Sequence, residues 1–74
     1  MPHVTLRLAS GRSDADKQRL ADALADAVTA AIGSPSESIS VAIEDVDMGD
    51  WPNFYRREIA AHPELLFKPP GYTL

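Results

Sequence analysis

The sequence predicts an α/β fold built on one β-α-β unit with parallel strands, followed by a second short helix and an extended C-terminal tail. Two segments alternate between apolar and polar residues as half-buried strands do, and a long amphipathic segment separates them. A crossover of helical length requires parallel strands with a right-handed connection. A sheet of two strands keeps open edges and an uncovered face, so we expect oligomerisation to complete the fold. The chain forms one predicted domain, residues 1–74.

The first predicted strand covers residues 3–9 and has two different faces. One face carries Val4, Leu6 and Leu8, and the other carries His3, Thr5 and Arg7. This period of two is typical of a strand with one buried face. Arg7 is on the polar face, where it could meet an acidic neighbour across the sheet, such as Glu44.

A long helix is predicted to begin near Asp14 and to end at Gly33. Ser13 occupies the N-cap position, and Asp14 and Asp16 place negative charge in the first turn, where it complements the helix dipole. Gly33 is typical of a helix C-terminus. The apolar stripe of this helix is predicted to contain Leu20, Ala23, Leu24, Ala27, Val28, Ala31 and Ile32.

A second strand is predicted over residues 39–44, because Ile39, Val41 and Ile43 alternate with smaller or polar residues. Residues 47–50 have the composition of a turn. A short helix is predicted over residues 51–61, with Pro52 tolerated in its first turn. From residue 62 onward, the prolines and a glycine predict an extended tail with at most a short turn over residues 64–68.

The composition argues against several classes of function. The formal net charge is −4 and the seven Lys and Arg residues are scattered, which disfavours a nucleic acid or an anionic membrane surface as the partner. The chain has no cysteine, and His3 and His62 lack zinc-site spacing, so we expect no metal and no cofactor. No apolar run approaches the ~20 residues of a membrane span, and the N-terminus lacks a signal-peptide layout. We therefore expect a cytoplasmic protein with a small-molecule ligand.

Pro2 follows the initiator methionine, and cytosolic methionine removal is efficient when the second residue is small. Removal would leave Pro2 with a free secondary amine. An α-amino group titrates near ~7.7–8.0 in model peptides, and burial beside a cation lowers that pKa, so the amine could act as a general base at cytosolic pH. A second-position proline without any chemical role is the alternative at this point.

Together these features resemble the 4-oxalocrotonate tautomerase family of the tautomerase superfamily, whose members begin with a catalytic proline exposed by methionine removal. The segments that carry the resemblance are Pro2, Gly11-Arg12-Ser13, Asp14-Ala15-Asp16-Lys17-Gln18, the strand at Ile39, and Gly49-Asp50-Trp51. They follow the family's order with no large gap up to Trp51. The resemblance covers roughly the whole chain and implies a small tautomerase fold.

The resemblance implies roles for three residues. Pro2 would be the catalytic acid and base, and Arg12 would be a catalytic residue that holds a substrate carboxylate or steadies an enolate oxygen. Trp51 would form an aromatic wall of the substrate-binding pocket and keep the surroundings of the amine apolar. Arg12 could instead be a solvated turn residue, and Trp51 a core or interface residue.

Two features depart from the common family pattern. Ser40 stands where members that handle dicarboxylates place a second arginine, so a monocarboxylate such as phenylpyruvate fits this substrate-binding position better. The run Lys68-Pro69-Pro70-Gly71-Tyr72 looks like the Lys-Pro-Gly-Tyr ending of a dimeric branch with phenylpyruvate-type tautomerase activity. We therefore expect a homodimer, with a hexamer as the second choice. His3 is a further substrate-binding candidate, with a solvated or structural histidine as its alternative. Tyr72, in a mobile tail, could reach a partner's site or have no role, and no role is assigned to it.

The function implied is a cofactor-independent keto-enol tautomerase that acts on a small enolisable carboxylate. Two alternatives stay open. Within the superfamily, hydration with halide loss from a haloacrylate needs a carboxylate that activates water, and no residue can be assigned to that role. In a different class, the chain could be a non-catalytic dimeric scaffold or a module that binds a small acid.

Overall fold

The computed structural model describes all 74 residues. Strand β1 covers His3–Ala9, helix α1 covers Asp14–Ile32, and strand β2 covers Ser40–Val46. Helix α2 covers Trp51–Phe54 and continues directly as a π-helical segment, Tyr55–Ala60. Short 3-10 turns lie at Ser36–Ser38, Met48–Asp50 and Pro63–Leu65. The predicted order of strand, helix, strand, short helix and extended tail is confirmed.

Strands β1 and β2 form a parallel two-stranded sheet, which confirms the predicted β-α-β unit. Their register pairs His3 with Ser40 at one end and Ala9 with Val46 at the other. Strand β2 begins at Ser40 rather than at Ile39 and runs on to Val46. Ile39 is outside the ladder because its backbone N–H donates to the carbonyl of Ser36, 3.1 Å away, and closes the preceding 3-10 turn.

Both ends of α1 are capped as the sequence predicts. The side-chain oxygen of Ser13 accepts a hydrogen bond from the backbone N–H of Asp16 at 3.1 Å. At the other end, Gly33 adopts a left-handed conformation with φ of 75°, and its N–H donates to the carbonyl of Thr29. Only glycine reaches that backbone region without steric cost, so the helix ends there.

The apolar stripe predicted for α1 is partly wrong. The half-buried residues of the stripe are Leu20, Ala21, Leu24, Ala25 and Val28, whereas Ala23, Ala27, Ala31 and Ile32 are exposed. The sheet below α1 has only two strands, about 4.8 Å apart, and therefore covers a narrow strip of the helix surface. Residues on the flank of this strip have no protein beneath them within the protomer.

The protomer buries few side chains. Only Phe54 and Tyr55 are buried, each with 8% of its surface exposed. Large apolar side chains such as Ile32, Met48 and Phe67 face outward, and β1 has no strand on its outer edge. A small chain with this little core lacks the burial that stabilises an independent domain. Its packing therefore supports the prediction that further copies complete the fold.

Arg7 connects the C-terminal helical segment to the sheet. Its Nε lies 3.3 Å from Oε2 of Glu44 on β2, which is the cross-strand pair that the sequence suggests. A second guanidinium nitrogen lies 3.5 Å from Oε2 of Glu58 in the π-helical segment. The guanidinium also sits 5.8 Å from the centre of the Phe54 ring, within the range of a cation–π contact.

Lys17 makes the equivalent connection on the other face of the sheet. Its Nζ lies 2.7 Å from Oδ2 of Asp45, so α1 is tied to β2. The hydrogen bond with Asp45 raises the pKa of the Lys17 amine above its ordinary value of 10.5. Because the folded-state pKa is raised, this tie stabilises the fold at neutral pH and is lost as the pH rises through the alkaline range.

No helix of the protomer is both long enough and apolar enough to cross a membrane.

We expect Arg7→Met to lower the free energy of unfolding by about 1 kcal/mol, because it removes two partly exposed ion pairs and one cation–π contact. In a domain of this size, that loss corresponds to a fall of several degrees in the melting midpoint, roughly 4–8 °C. Thermal unfolding followed by circular dichroism at one fixed protein concentration measures it.

The matched control is Arg19→Met, because Arg19 pairs with Asp16 inside α1 and connects no second element. Its midpoint should change by less than half as much. Equal melting of the wild type and Arg7→Met would show that the Arg7 contacts do not hold the C-terminal segment.

Candidate active site

Pro2 is held at the start of β1. Its carbonyl accepts a hydrogen bond from the backbone N–H of Ser40 at 3.2 Å, and its side chain is half-buried. Met1 precedes the strand and is fully exposed. The Met1–Pro2 peptide bond is therefore at an accessible tip of the chain, whereas Pro2 itself is anchored to the sheet.

His3 and Ser40 form a contact that the sequence does not reveal. The Nδ1 atom of His3 lies 2.6 Å from the hydroxyl oxygen of Ser40, and its Nε2 lies 3.2 Å from that of Thr5. All three side chains are on the sheet face opposite α1, next to Pro2 in the ladder. The contact depends on the register between two distant strands, which alternation within each strand cannot supply. It brings two of the predicted substrate-binding residues together.

Arg12 lies in the turn between β1 and α1, after Gly11, whose φ of 125° turns the chain. Its side chain is exposed and takes part in none of the protomer's ion pairs. It lines a groove of about 530 Å³ along the open edge of β1. The other lining residues are Leu6, Leu8, Asp16, Arg19, Leu20 and Ala23. An unpaired guanidinium beside apolar side chains can bind an organic anion.

Trp51 is the first residue of α2 and belongs to an aromatic cluster. Its ring lies 4.9 Å from that of Phe54, and its indole Nε1 donates to the hydroxyl oxygen of Tyr72 at 3.3 Å. The Tyr72 ring in turn lies 5.7 Å from that of Tyr55. The tail is extended as predicted, but Tyr72 folds back onto α2 rather than lying free of it.

The candidate residues divide between two ends of the protomer. Pro2, His3 and Ser40 are at the amino-terminal edge of the sheet, because the strands are parallel and begin together. Arg12 and Trp51 follow the carboxyl ends of β1 and β2. A strand of seven residues spans about 20 Å. One protomer therefore does not bring Pro2 together with Arg12 and Trp51.

The described residues offer no evident metal centre. No three His, Asp or Glu side chains of the protomer converge in the way that a metal ion requires.

Residues 2–52 match the family model described as a tautomerase enzyme, and the match begins at Pro2. A protein from Xylella fastidiosa described as a probable tautomerase is 45% identical over 73 residues, covering 97% of this chain and 89% of that protein. The tautomerase PptA of Escherichia coli is 31% identical over 75 residues, covering the full length of both chains.

Solved structures agree with this assignment. The apo structure of an unfused 4-OT matches with a TM-score of 0.61 at 33% identity, and the matched region is 62% of this chain and 79% of that chain. YwhB, described as a homologue of 4-oxalocrotonate tautomerase, matches with a TM-score of 0.60 at 35% identity, and the matched region is 62% of this chain and 75% of that chain. The family model, the full-length relatives and the shared fold together show that this chain is a tautomerase of the 4-oxalocrotonate tautomerase family.

Proposed function

We propose that this chain catalyses the keto-enol tautomerisation of an enolisable 2-oxo monocarboxylate such as phenylpyruvate, with the amine of Pro2 as the catalytic acid and base. The observation that carries the proposal is the position of Pro2, since the family match begins there and the preceding Met1 is fully exposed. An aminopeptidase in the cytoplasm can reach Met1 at this tip and free the secondary amine.

The reaction moves one proton and needs no cofactor. In the direction of ketonisation, the neutral amine of Pro2 takes the proton of the enol hydroxyl, the electron pair of that O–H bond forms the carbonyl, and the C=C electron pair makes the adjacent carbon nucleophilic. The protonated amine then gives its proton to that carbon, which returns Pro2 to its neutral form. The guanidinium of Arg12 holds the carboxylate or steadies the oxygen on which negative charge develops.

Two copies of the chain are required for this site. Pro2 and Arg12 are at opposite ends of β1 in one protomer, so the Arg12 that serves a given Pro2 comes from another copy. Antiparallel pairing of two β1 edges would place the start of one strand beside the end of the other. The free edge of β1 and the sparse burial support such a homodimer, and a hexamer is the second choice.

The charges favour a monocarboxylate. Ser40 supplies no cation near Pro2, and its hydroxyl lies within hydrogen-bond distance of His3. Among the candidate residues, Arg12 is a cation that forms no ion pair within the protomer. Trp51, at the same end of the sheet as Arg12, offers an aromatic surface for a phenyl ring.

We expect kcat/KM for phenylenolpyruvate to rise through a single ionisation at or below ~7.7, because only the neutral amine is a base. Pro2→Ala should lower kcat/KM by roughly 100-fold or more, within the usual range for general acid–base catalysis. Intact-mass spectrometry on the same samples provides the control, since any fraction that retains Met1 should be inactive. An active Pro2→Ala variant would exclude Pro2 as the base, and an inactive wild type with Met1 removed would favour the scaffold or binding module.

A mixture of Pro2→Ala and Arg12→Ala should regain activity after co-refolding. In a dimer whose sites each combine Pro2 of one copy with Arg12 of the other, random mixing gives heterodimers with one intact site, or about a quarter of wild-type activity. Each variant refolded alone is the control. If the mixture is no more active than the separate variants, both residues act within one chain.

We expect Ser40→Arg to raise the relative kcat/KM for the dicarboxylate 2-hydroxymuconate over phenylenolpyruvate by about tenfold, because it adds a charge-assisted hydrogen bond near Pro2. Ser36→Arg adds the same charge in the exposed turn before β2 and serves as the control. Equal selectivity in the two variants would mean that position 40 does not face the substrate.

A further inference from the structure

Tyr72 has a fixed position on the protomer although it lies in the C-terminal tail. Its ring packs 5.7 Å from the ring of Tyr55, which is buried, and its hydroxyl oxygen lies 3.3 Å from the indole Nε1 of Trp51. Two separate contacts to α2 and the segment that follows it therefore hold this side chain, and 45% of its surface stays exposed.

The chemistry of this hydrogen bond leaves one proton free. An indole N–H can only donate, so the Tyr72 oxygen is the acceptor. A phenol also carries a donor O–H, and the Tyr72 hydroxyl makes no other side-chain hydrogen bond in the protomer. A hydroxyl that accepts one hydrogen bond and keeps its own proton is held in place as a donor for a ligand. Consecutive hydrogen bonds polarise one another, so the bond from Trp51 strengthens this donor.

We propose that the Tyr72 hydroxyl is a substrate-binding residue that donates a hydrogen bond to the carboxylate or carbonyl oxygen of the bound 2-oxo acid. This inference rests on the proposed function, because that proposal places Trp51 in the site. A 2-oxo acid presents two carboxylate oxygens and a carbonyl oxygen, and a bidentate Arg12 guanidinium would engage two of them, which leaves acceptor positions for a further donor. An O–H donor against an anion forms one of the stronger hydrogen bonds in proteins.

The hydrogen bond to Tyr72 determines what Trp51 can offer a substrate. The indole N–H is occupied by Tyr72, so Trp51 offers a substrate its apolar ring face rather than its donor. The hydroxyl of Tyr72 provides a hydrogen-bond donor at a neighbouring position. The two residues together present an apolar surface for an aryl group and a neutral donor for an oxygen beside it.

A purely structural role for Tyr72, as a clasp that holds the tail on α2, is the competing interpretation. The variant Tyr72→Phe keeps the ring contact with Tyr55 and removes only the hydroxyl. We expect it to raise KM for phenylenolpyruvate by about tenfold, the usual scale for a lost hydrogen bond to a charged group, with kcat and the melting midpoint nearly unchanged. Tyr55→Phe is the matched control, since it removes the hydroxyl of the other ring in the pair and should leave KM unchanged.

The background Trp51→Phe separates the two interpretations. Without the indole donor, the bond between residues 51 and 72 is already lost, so a clasp has nothing further to lose. We expect Tyr72→Phe still to raise KM several-fold in this background, by less than in the wild type because the lost indole bond no longer orients and polarises the hydroxyl. No additional effect there would overturn the proposal and leave Tyr72 as a clasp.

Binding provides a readout that does not depend on turnover. Trp51 is the single tryptophan of the chain, so its fluorescence reports occupation of the site directly. The non-reactive acid 3-phenylpropionate should quench it, with a Kd about tenfold higher in Tyr72→Phe than in the wild type or Tyr55→Phe. Binding with this pattern but no Pro2-dependent turnover would reject the proposed reaction alone. Turnover by wild type with Tyr72→Phe unchanged in KM and Kd would reject the role of Tyr72 alone.

Discussion

The structure depends on one constraint, which is that two strands and one helix cannot enclose a core. Phe54 and Tyr55 are the only buried side chains, and both belong to the C-terminal helical segment rather than to the interface between α1 and the sheet. The hydrophobic effect scales with the apolar area removed from water, so the protomer gains little from folding alone. The open edge of β1 and the exposed flank of α1 are the surfaces through which a further copy could supply the missing burial.

Ion pairs within the protomer add to the stability that its sparse packing provides. Glu44 and Asp45 are consecutive in β2 and therefore point to opposite faces of the sheet. Glu44 is bound by Arg7, which also reaches Glu58, and Asp45 is bound by Lys17 of α1. Strand β2 is thus held from both sides by ion pairs, each a modest contribution because each is partly exposed.

Local signals in the sequence predicted the elements well, and contacts between elements poorly. Ser13 and Gly33 fixed the ends of α1 because capping involves only neighbouring residues, and alternation located both strands. The exposed side of α1 was mispredicted because Ala23 and Ala27 are apolar in sequence, whereas their burial depends on how far the sheet extends beneath them. The contact between His3 and Ser40 and the return of Tyr72 to Trp51 join residues far apart in the chain. No periodicity within either segment encodes such contacts, so they required the folded structure.

The electrostatics of the groove finally suggest how an acidic chain can bind an acid. The formal net charge of −4 would repel an anion at long range, but exposed charges more than about 8 Å away are largely screened at physiological ionic strength. Within the groove, Asp16 pairs with Arg19, so its charge is locally balanced. Arg12 then remains as a single uncompensated positive charge, set beside Leu6 and Leu8. One local cation in apolar surroundings suits a ligand with one carboxylate and an apolar body, and the proposed aryl or alkyl 2-oxo monocarboxylate is a ligand of that kind.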